Sequence, residues 1–314
     1  MNSPKLSVII PHYNSSNSLE KLLLSLSKYR DTEIIIVDDY SSIDEINTVK
    51  KIIKSMNLNI ILLENDEKKS AGTCRNIGIK KSTGKFILFA DADDYFVDES
   101  EIHIDKYLNK KHDIVFFVPT SIYLDNGKIS NRHVRNKMLV DSFSEEPSRE
   151  NELMLRTKFI EPWSKLFRAD FIKDNQLKFD DTIISNDVFF SVTSGMTARN
   201  IDICSNVIYC VTKNSGSITT IIDKERYIIK FNVFIKQVCY LKECLSNEEF
   251  MLLNIDGKSW LLNSIFYKLG LKTTLRVFTT LRSKKIKIIN PKNIRVKKLI
   301  KYIDFLNIES KYRQ

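Results

Sequence analysis

The chain has 314 residues, 43% of them hydrophobic, with 18 Phe and 12 Tyr but only 8 Gly and 6 Pro, which supports packed cores and excludes a disordered or linker-rich chain. Its formal net charge of +10 is concentrated in one place: from Lys268 onward 14 Lys and Arg face two acids, Asp304 and Glu309, so the body is close to neutral. No apolar run reaches the roughly 20 residues that span a bilayer, and no cleavable signal pattern opens the chain, so a cytoplasmic location is expected.

Leu6–Ile10 is a short β-branched apolar run that stops at Pro11, as a buried strand would. Leu19, Leu22, Leu23, Leu26 and Tyr29 then recur at helical spacing. The run 33–37 predicts a second strand ending in Asp38-Asp39, and Ile46, Val49, Ile52, Ile53 and Met56 a second helix. Strands at 59–63 and 86–90 flank a helix over 73–82, and the last strand runs into Asp91-Ala92-Asp93-Asp94. Strand–helix alternation of this kind predicts an α/β fold with a mostly parallel sheet. Ligands in such sheets bind at the carboxyl ends of the strands, here Tyr13-Asn14, Asp38-Asp39 and the acidic cluster.

Residues 113–118 predict another strand, and Asn126-Gly127 a hairpin turn within 123–129. The segment 130–225 is mixed in pattern, and from Tyr227 to Asn290-Pro291 the apolar spacing is helical. Three parts are therefore expected: 1–120, 121–225 and 226–314.

Asp91 and Asp93 alternate along an extended segment and can point the same way. Crowded carboxylates repel, and a divalent cation relieves the repulsion while gripping phosphate oxygens; a helix-capping acidic turn is the alternative. Five cysteines (Cys74, Cys204, Cys210, Cys239, Cys244) form no C-x-x-C pair, so reduced, buried thiols are expected rather than zinc or disulfides. Gly72, Gly78 and Gly84 make no G-x-G-x-x-G, and no Walker A sequence occurs, which excludes dinucleotide-fingerprint and P-loop readings. His103, His112 and His133 fit no metal spacing, and His12 reads as incidental.

The ordered set Pro11-His12-Tyr13-Asn14, Val37-Asp38-Asp39-Tyr40-Ser41, Gly72–Gly78 and Asp91–Asp94 resembles glycosyltransferase family 2, the inverting nucleotide-sugar transferases of the GT-A fold. A weaker likeness continues through Trp163–Phe167, Asn186–Phe190 and Ser217-Ile218-Thr219. The resemblance implies a Rossmann-like nucleotide-sugar-binding half and an acceptor-binding half, to which the helical spacing and charge from 226 onward add a basic helical C-terminal extension. It further implies a UDP-sugar donor, bound by Pro11, Tyr13 (against the uracil), Asn14, Asp39 (accepting the uracil N3–H), Arg75, Asp91, Ala92 and Asp93. Asp93 and Asp91 would hold Mn²⁺ or Mg²⁺, and Arg75 would face the diphosphate or hold the aspartates. Trp163, as a stacking platform or a core residue, and Asp94, as a support, are assigned to the acceptor side. Asp187 inherits the role of general base, although Asn186 stands where the family usually has Glu; a helix N-terminal acid is the alternative for Asp187.

The product would be a β-glycoside on a glycan or lipid-diphosphate-sugar acceptor in bacterial O-antigen, capsule or lipooligosaccharide synthesis. The basic tail, with Leu275, Val277, Phe278, Leu281, Ile286, Ile288, Ile289, Leu299, Ile300 and Ile303 among its cations, suggests a peripheral contact with the cytoplasmic face of the inner membrane. Packing of those residues on the body is the alternative. Nucleic acid is not expected as a partner, because the body is not basic. A UDP-sugar-binding relative without activity is the remaining rival, and the intact Asp91, Asp93 and Asp187 speak against it.

Overall fold

The computed structural model describes residues 4–213 and 223–290. The chain forms two compact units, Met1–Thr220 and Ile221–Gln314.

The first unit starts with β1 (Leu6–His12), α1 (Ser16–Ser25), β2 (Thr32–Asp38), α2 (Ile43–Ser55), β3 (Ile60–Glu64), α3 (Ala71–Lys81) and β4 (Phe86–Phe89). β1 lies between β2 and β4, β3 lies outside β2, and all three pairings are parallel. Helices cover such strands, so β1 and β2 are apolar almost throughout rather than alternating. In this register His12 stands beside Asp38, with Asp39 just beyond and Asp91 shortly after β4. The acidic and aromatic motifs thus share one edge of the sheet.

Local chemistry fixes where the helices begin. Ser42 and Ser70 each accept a backbone N–H three residues on, from Glu45 and Thr73. Gly78 lets α3 lie close on β1: a Cβ there would stand 2.4 Å from the Ile9 Cγ2.

Beyond β4 the topology departs from simple alternation. β5 (Tyr95–Phe96), α4 (Ser100–Asp105), β6 (Ile114–Tyr123), α5 (Val134–Glu145), α6 (Arg149–Lys158), β7 (Lys165–Arg168), α7 (Ala169–Asp174), α8 (Val188–Thr197) and β8 (Ile201–Lys213) follow. The sheet order is β3-β2-β1-β4-β7-β6-β8-β5. β7 inserts antiparallel between β4 and β6, β8 runs parallel to β6, and the short β5 closes the far edge antiparallel to β8. The Asn126-Gly127 turn forms with Gly127 at φ 66°, and its arms are joined by an isolated bridge, Ile122 to Ile129, and by bonds between Ser121 and Ser130.

The end of the sheet away from the strand-end motifs is pinned by a buried acid. Glu33 accepts from the Ser7 hydroxyl (2.5 Å), the Thr83 N–H (2.6 Å), the Thr83 hydroxyl (2.9 Å) and the Gly84 N–H (3.1 Å). Burial opposes its charge, but these donors outweigh burial and hold its pKa below the usual glutamate value.

The second unit contains α9 (Lys224–Cys244), α10 (Asn247–Leu252), α11 (Lys258–Phe266) and α12 (Leu271–Ser283). Its core gathers Tyr227, Phe231, Val238, Val277, Leu281 and Ile286 around Trp260. Val277, Leu281 and Ile286, expected among lipid-facing residues, are therefore core residues: at positions i and i+4 of α12, Val277 and Leu281 share its buried face with Thr273. Leu271, Leu275 and Ile289 remain exposed. Leu299, Ile300, Ile303 and the cations beyond Asn290 lie outside the described residues. No helix among the described residues is long and apolar enough to cross a membrane.

Glu33→Gln should lower the unfolding free energy by about 1–3 kcal/mol at neutral pH, measured by urea denaturation, because it leaves buried donors underserved. A depressed folded pKa stabilises above the unfolded value near 4.3 and is lost as pH falls through the folded value, so the variant should lose less stability than the parent on acidification.

Candidate active site

The strand-end pocket has a volume of about 350 Å³ and is lined by Pro11, His12, Tyr13, Asp39, Arg75 and Asp91–Asp93 among others.

 The loops after β1 and β2 each carry a residue in left-handed backbone, Asn14 (φ 44°) and Tyr40 (φ 68°). A hydrogen-bond network, buried at His12 and Asp38 and exposed at Asn14, holds them. His12 Nδ1 pairs with Asp38 Oδ1 at 2.7 Å, Asp38 accepts the Ser41 N–H (2.8 Å) and hydroxyl (2.5 Å), and the Asn14 amide oxygen accepts the Ser42 N–H at 3.0 Å. His12 is thus a correction to the sequence reading: it is 1% exposed and anchors the loop that carries Tyr13. Burial would raise the Asp38 pKa, but the bonds from His12 and Ser41 outweigh it and hold the carboxyl low.

Tyr13 is open to solvent, with the Lys68 Nζ 3.6 Å from its ring centre. Asp39 is buried and accepts from the Lys69 N–H (2.9 Å) and the Asn65 amide (3.2 Å). Pro11 and Ala92 complete the apolar part of the wall, and the Asn14 side chain is turned to the neighbouring loop.

Across the pocket, Asp91, Asp93 and Asp94 each offer an oxygen, and these atoms lie within 4.8 Å of one another. Three orientations distinguish them. Asp91 bonds Arg75 Nη2 at 2.5 Å, Asp93 is exposed, and Asp94 turns inward to accept the Thr212 N–H at 2.7 Å. Asp94 is 3% exposed, so it is a support beneath the cluster and not an acceptor contact. Desolvation, then repulsion from Asp91, raises the pKa of Asp93; the same causes, with Asp93 added, raise Asp94 well above its usual value. Carboxylates that resist ionising together fit a divalent cation, which Asp91 and Asp93 would hold from the open side.

β8 braces this cluster in a way no local motif announces. The Tyr209 hydroxyl accepts the Asp91 N–H at 2.8 Å, and the Thr212 hydroxyl donates to the Asp93 carbonyl at 2.6 Å. Trp163 stacks on Tyr209, with centroids 5.7 Å apart and planes 15° apart, and is itself 2% exposed. Of its two expected roles the structure gives the core one: Trp163 supports the post under Asp91 and offers no open face to a sugar.

Arg75 joins this side of the pocket to the segment before α8. Its Nη2 bonds Asp91, its Nη1 donates to Asn186 Oδ1 at 3.1 Å, and its carbon lies 5.3 Å from the Phe179 ring centre. Gly72 permits the approach, since a Cβ there would stand 2.3 Å from the Asp180 carbonyl oxygen. Asp187 follows Asn186 as the residue capping α8, yet its side chain makes no capping bond. Burial, opposed by Arg75 and reinforced by Glu161, pushes its pKa up to about 6. A carboxylate poised near neutrality and free of a capping bond suits proton transfer.

The sequence profile described as Glycosyl transferase family 2 matches residues 7–175. Poly(ribitol-phosphate) beta-N-acetylglucosaminyltransferase TarS of Staphylococcus aureus is 28% identical over 220 residues, 68% of this chain and 36% of that protein. The UDP-Glc:alpha-D-GlcNAc-diphosphoundecaprenol beta-1,3-glucosyltransferase WfgD of Escherichia coli is 31% identical over 131 residues, 41% of this chain and 50% of that protein. The crystal structure of S. aureus TarS 1-349 in complex with UDP-GlcNAc superposes with a TM-score of 0.67 at 22% identity, covering 89% of this chain and 80% of that one. The chain spans about a third of the full length of the TarS relative.

Arg75→Met should raise the Asp187 pKa above about 6, because the guanidinium is the charge that lowers it. Carboxyl NMR titration checks this, and an unchanged value would show that Arg75 does not reach the Asp187 carboxyl.

Proposed function

The chain belongs to glycosyl transferase family 2, and from that membership we propose that it transfers a hexose, Glc, Gal or an N-acetyl amine of either, from a UDP-sugar to an acceptor hydroxyl with inversion. The observation that carries this reading is the link Asp91–Arg75–Asn186, which ties a carboxylate cluster suited to a diphosphate-bound cation to the neighbour of a raised-pKa Asp187. The relatives' names, one a UDP-glucose transferase acting on a diphosphoundecaprenol-linked sugar and one a poly(ribitol-phosphate) transferase, support a lipid-linked or polymeric acceptor in bacterial surface-glycan synthesis.

In this reading Tyr13 packs on the uracil, and Asp39 accepts its N3–H, which favours uridine over cytidine. Pro11, Asn14 and Ala92 shape the donor site, Arg75 keeps Asp91 oriented, and Asp91 and Asp93 hold Mn²⁺ or Mg²⁺. When bound, the cation offsets the negative charge that builds on UDP as it departs. Asp187 takes the proton of the acceptor hydroxyl as that oxygen forms its bond to C1. The C1–O bond to UDP breaks on the opposite face, so an α-linked donor yields a β-glycoside. Residues 121–225 supply the acceptor half. The intact Asp91, Asp93 and Asp187 favour an active enzyme over an inactive UDP-sugar binder.

We propose further that the second unit contacts the cytoplasmic face of the inner membrane. Leu271, Leu275 and Ile289 are exposed beside Lys272, Arg276 and Lys287, the pairing of apolar and cationic groups that binds anionic lipid.

Asp187→Asn should retain UDP affinity and lose about 10²–10⁴-fold in turnover, followed by UDP release with a donor and acceptor found by screening. In the parent, kcat/KM should rise with pH through about 6, as Asp187 loses its proton, and level off above. A variant with near-normal turnover would move the base to another carboxylate, such as Glu161 or Asp181.

A further inference from the structure

We infer that the second unit carries a pocket for an anionic phospholipid, with the lipid phosphate on Lys242, Lys285 and Lys287 and the start of an acyl chain on the apolar wall behind them. This reading rests on the membrane contact proposed above and gives that contact a lipid class.

The pocket has a volume of about 460 Å³ and lies where the end of α9, α10 and the segment after α12 meet. Its inner wall is apolar: Leu245 and Ile286 are buried, with Phe250 and Ile255 half-buried beside them. Met251 lines it too and is 53% exposed. Hydrogen bonds pin the segment after α12 in place as one side. Lys242 Nζ donates to the Lys284 and Lys285 carbonyls at 2.8 and 2.9 Å. The Gly257 N–H donates to the Lys287 carbonyl at 2.9 Å, and the Asn290 N–H to Asp256 Oδ2 at 3.2 Å. The cavity is therefore built into this unit.

The charges around that wall have one sign. Ile286 is buried between Lys285 and Lys287, which are both exposed. No Asp or Glu lines the pocket, and no ion pair among the described residues holds Lys285 or Lys287. An ammonium has three donors; two of those on Lys242 go to carbonyls, and one is left for a ligand oxygen. The same ammonium stands 5.6 Å from the Phe250 ring centre, so the cationic and apolar parts adjoin. An anionic amphiphile answers both, with oxygens for the lysines and hydrocarbon for the wall. A chain-free phosphate would leave the wall in water, and a neutral lipid would leave the lysines without a counter-charge. The sequence that follows Asn290 is itself rich in Lys and Arg, and like charge makes it a poor occupant.

The test titrates the full chain by calorimetry with dihexanoyl phosphatidylglycerol, kept below its micelle concentration, beside dihexanoyl phosphatidylcholine and glycerol phosphate. The phosphatidylglycerol should bind, and the other two about tenfold more weakly or less. Lys285→Gln combined with Lys287→Gln should weaken it about tenfold, and so should Met251→Glu, whose exposed position keeps the change out of the core. Lys272→Gln combined with Arg276→Gln removes the same charge from the exposed side of α12. That pair should leave the short lipid's affinity unchanged while weakening cosedimentation with phosphatidylglycerol vesicles. UDP affinity should not change in any variant. Equal weakening by the two charge pairs, or binding of glycerol phosphate as tight as that of the lipid, overturns the pocket. A dimer that Met251→Glu dissolves would give the surface to a second copy and overturn it too. Vesicle binding without binding of the short lipid overturns the pocket alone, whereas failure to bind vesicles at all overturns the membrane contact, so the two failures are distinguishable.

Discussion

A single buried guanidinium is the tie on which the site depends. Arg75 reaches Asp91 on one side and Asn186 on the other, joining residues that follow β4 to residues that precede α8. Four carboxylates, Asp91, Asp93, Asp94 and Asp187, would otherwise crowd a poorly solvated edge of the sheet, where repulsion drives such groups toward their neutral forms. Arg75 limits that tendency at Asp187 and anchors Asp91 directly. The cost is borne by the backbone: α3 must press so close to the 180–186 segment that only glycine fits at position 72.

The second constraint acts from behind. Tyr209 and Thr212 on β8 hold the backbone of Asp91 and Asp93 and the side chain of Asp94, and Trp163 holds Tyr209. The Asp93 side chain is left exposed toward the pocket. Rigid support for two carboxylates and freedom for the third is the arrangement a readily exchanged cation requires, since part of its coordination must come from substrate.

The first half of the fold was legible because its strands are continuous apolar runs and its helices carry a 3.6-residue period, both local signals. The acidic cluster stood out for the same reason, since it follows such a run, whereas Asp187 stood out only through the family resemblance of Asn186–Phe190. The rest depends on pairings far apart in sequence. Nothing local indicates that Lys165–Arg168 inserts between β4 and β6, or that Tyr95–Phe96 crosses to pair with β8. Tyr209, 118 residues from Asp91, lies in the segment of mixed pattern, where nothing local marks its role. His12 could have been recovered from the β1–β2 register, which sets it beside Asp38. In the second unit, helical spacing marked Val277 and Leu281 as one face but could not say whether protein or lipid covers it; the structure gives protein.

The account stands most directly on the claim that the Asp91–Asp93 edge grips a nucleotide diphosphate through a divalent cation. Titrating UDP into the protein by calorimetry, once with Mn²⁺ and once with chelator, measures that claim. The account predicts clear binding with the metal and a marked loss of affinity without it. Equal affinity under both conditions would contradict it, and would leave the aspartate cluster a structural turn.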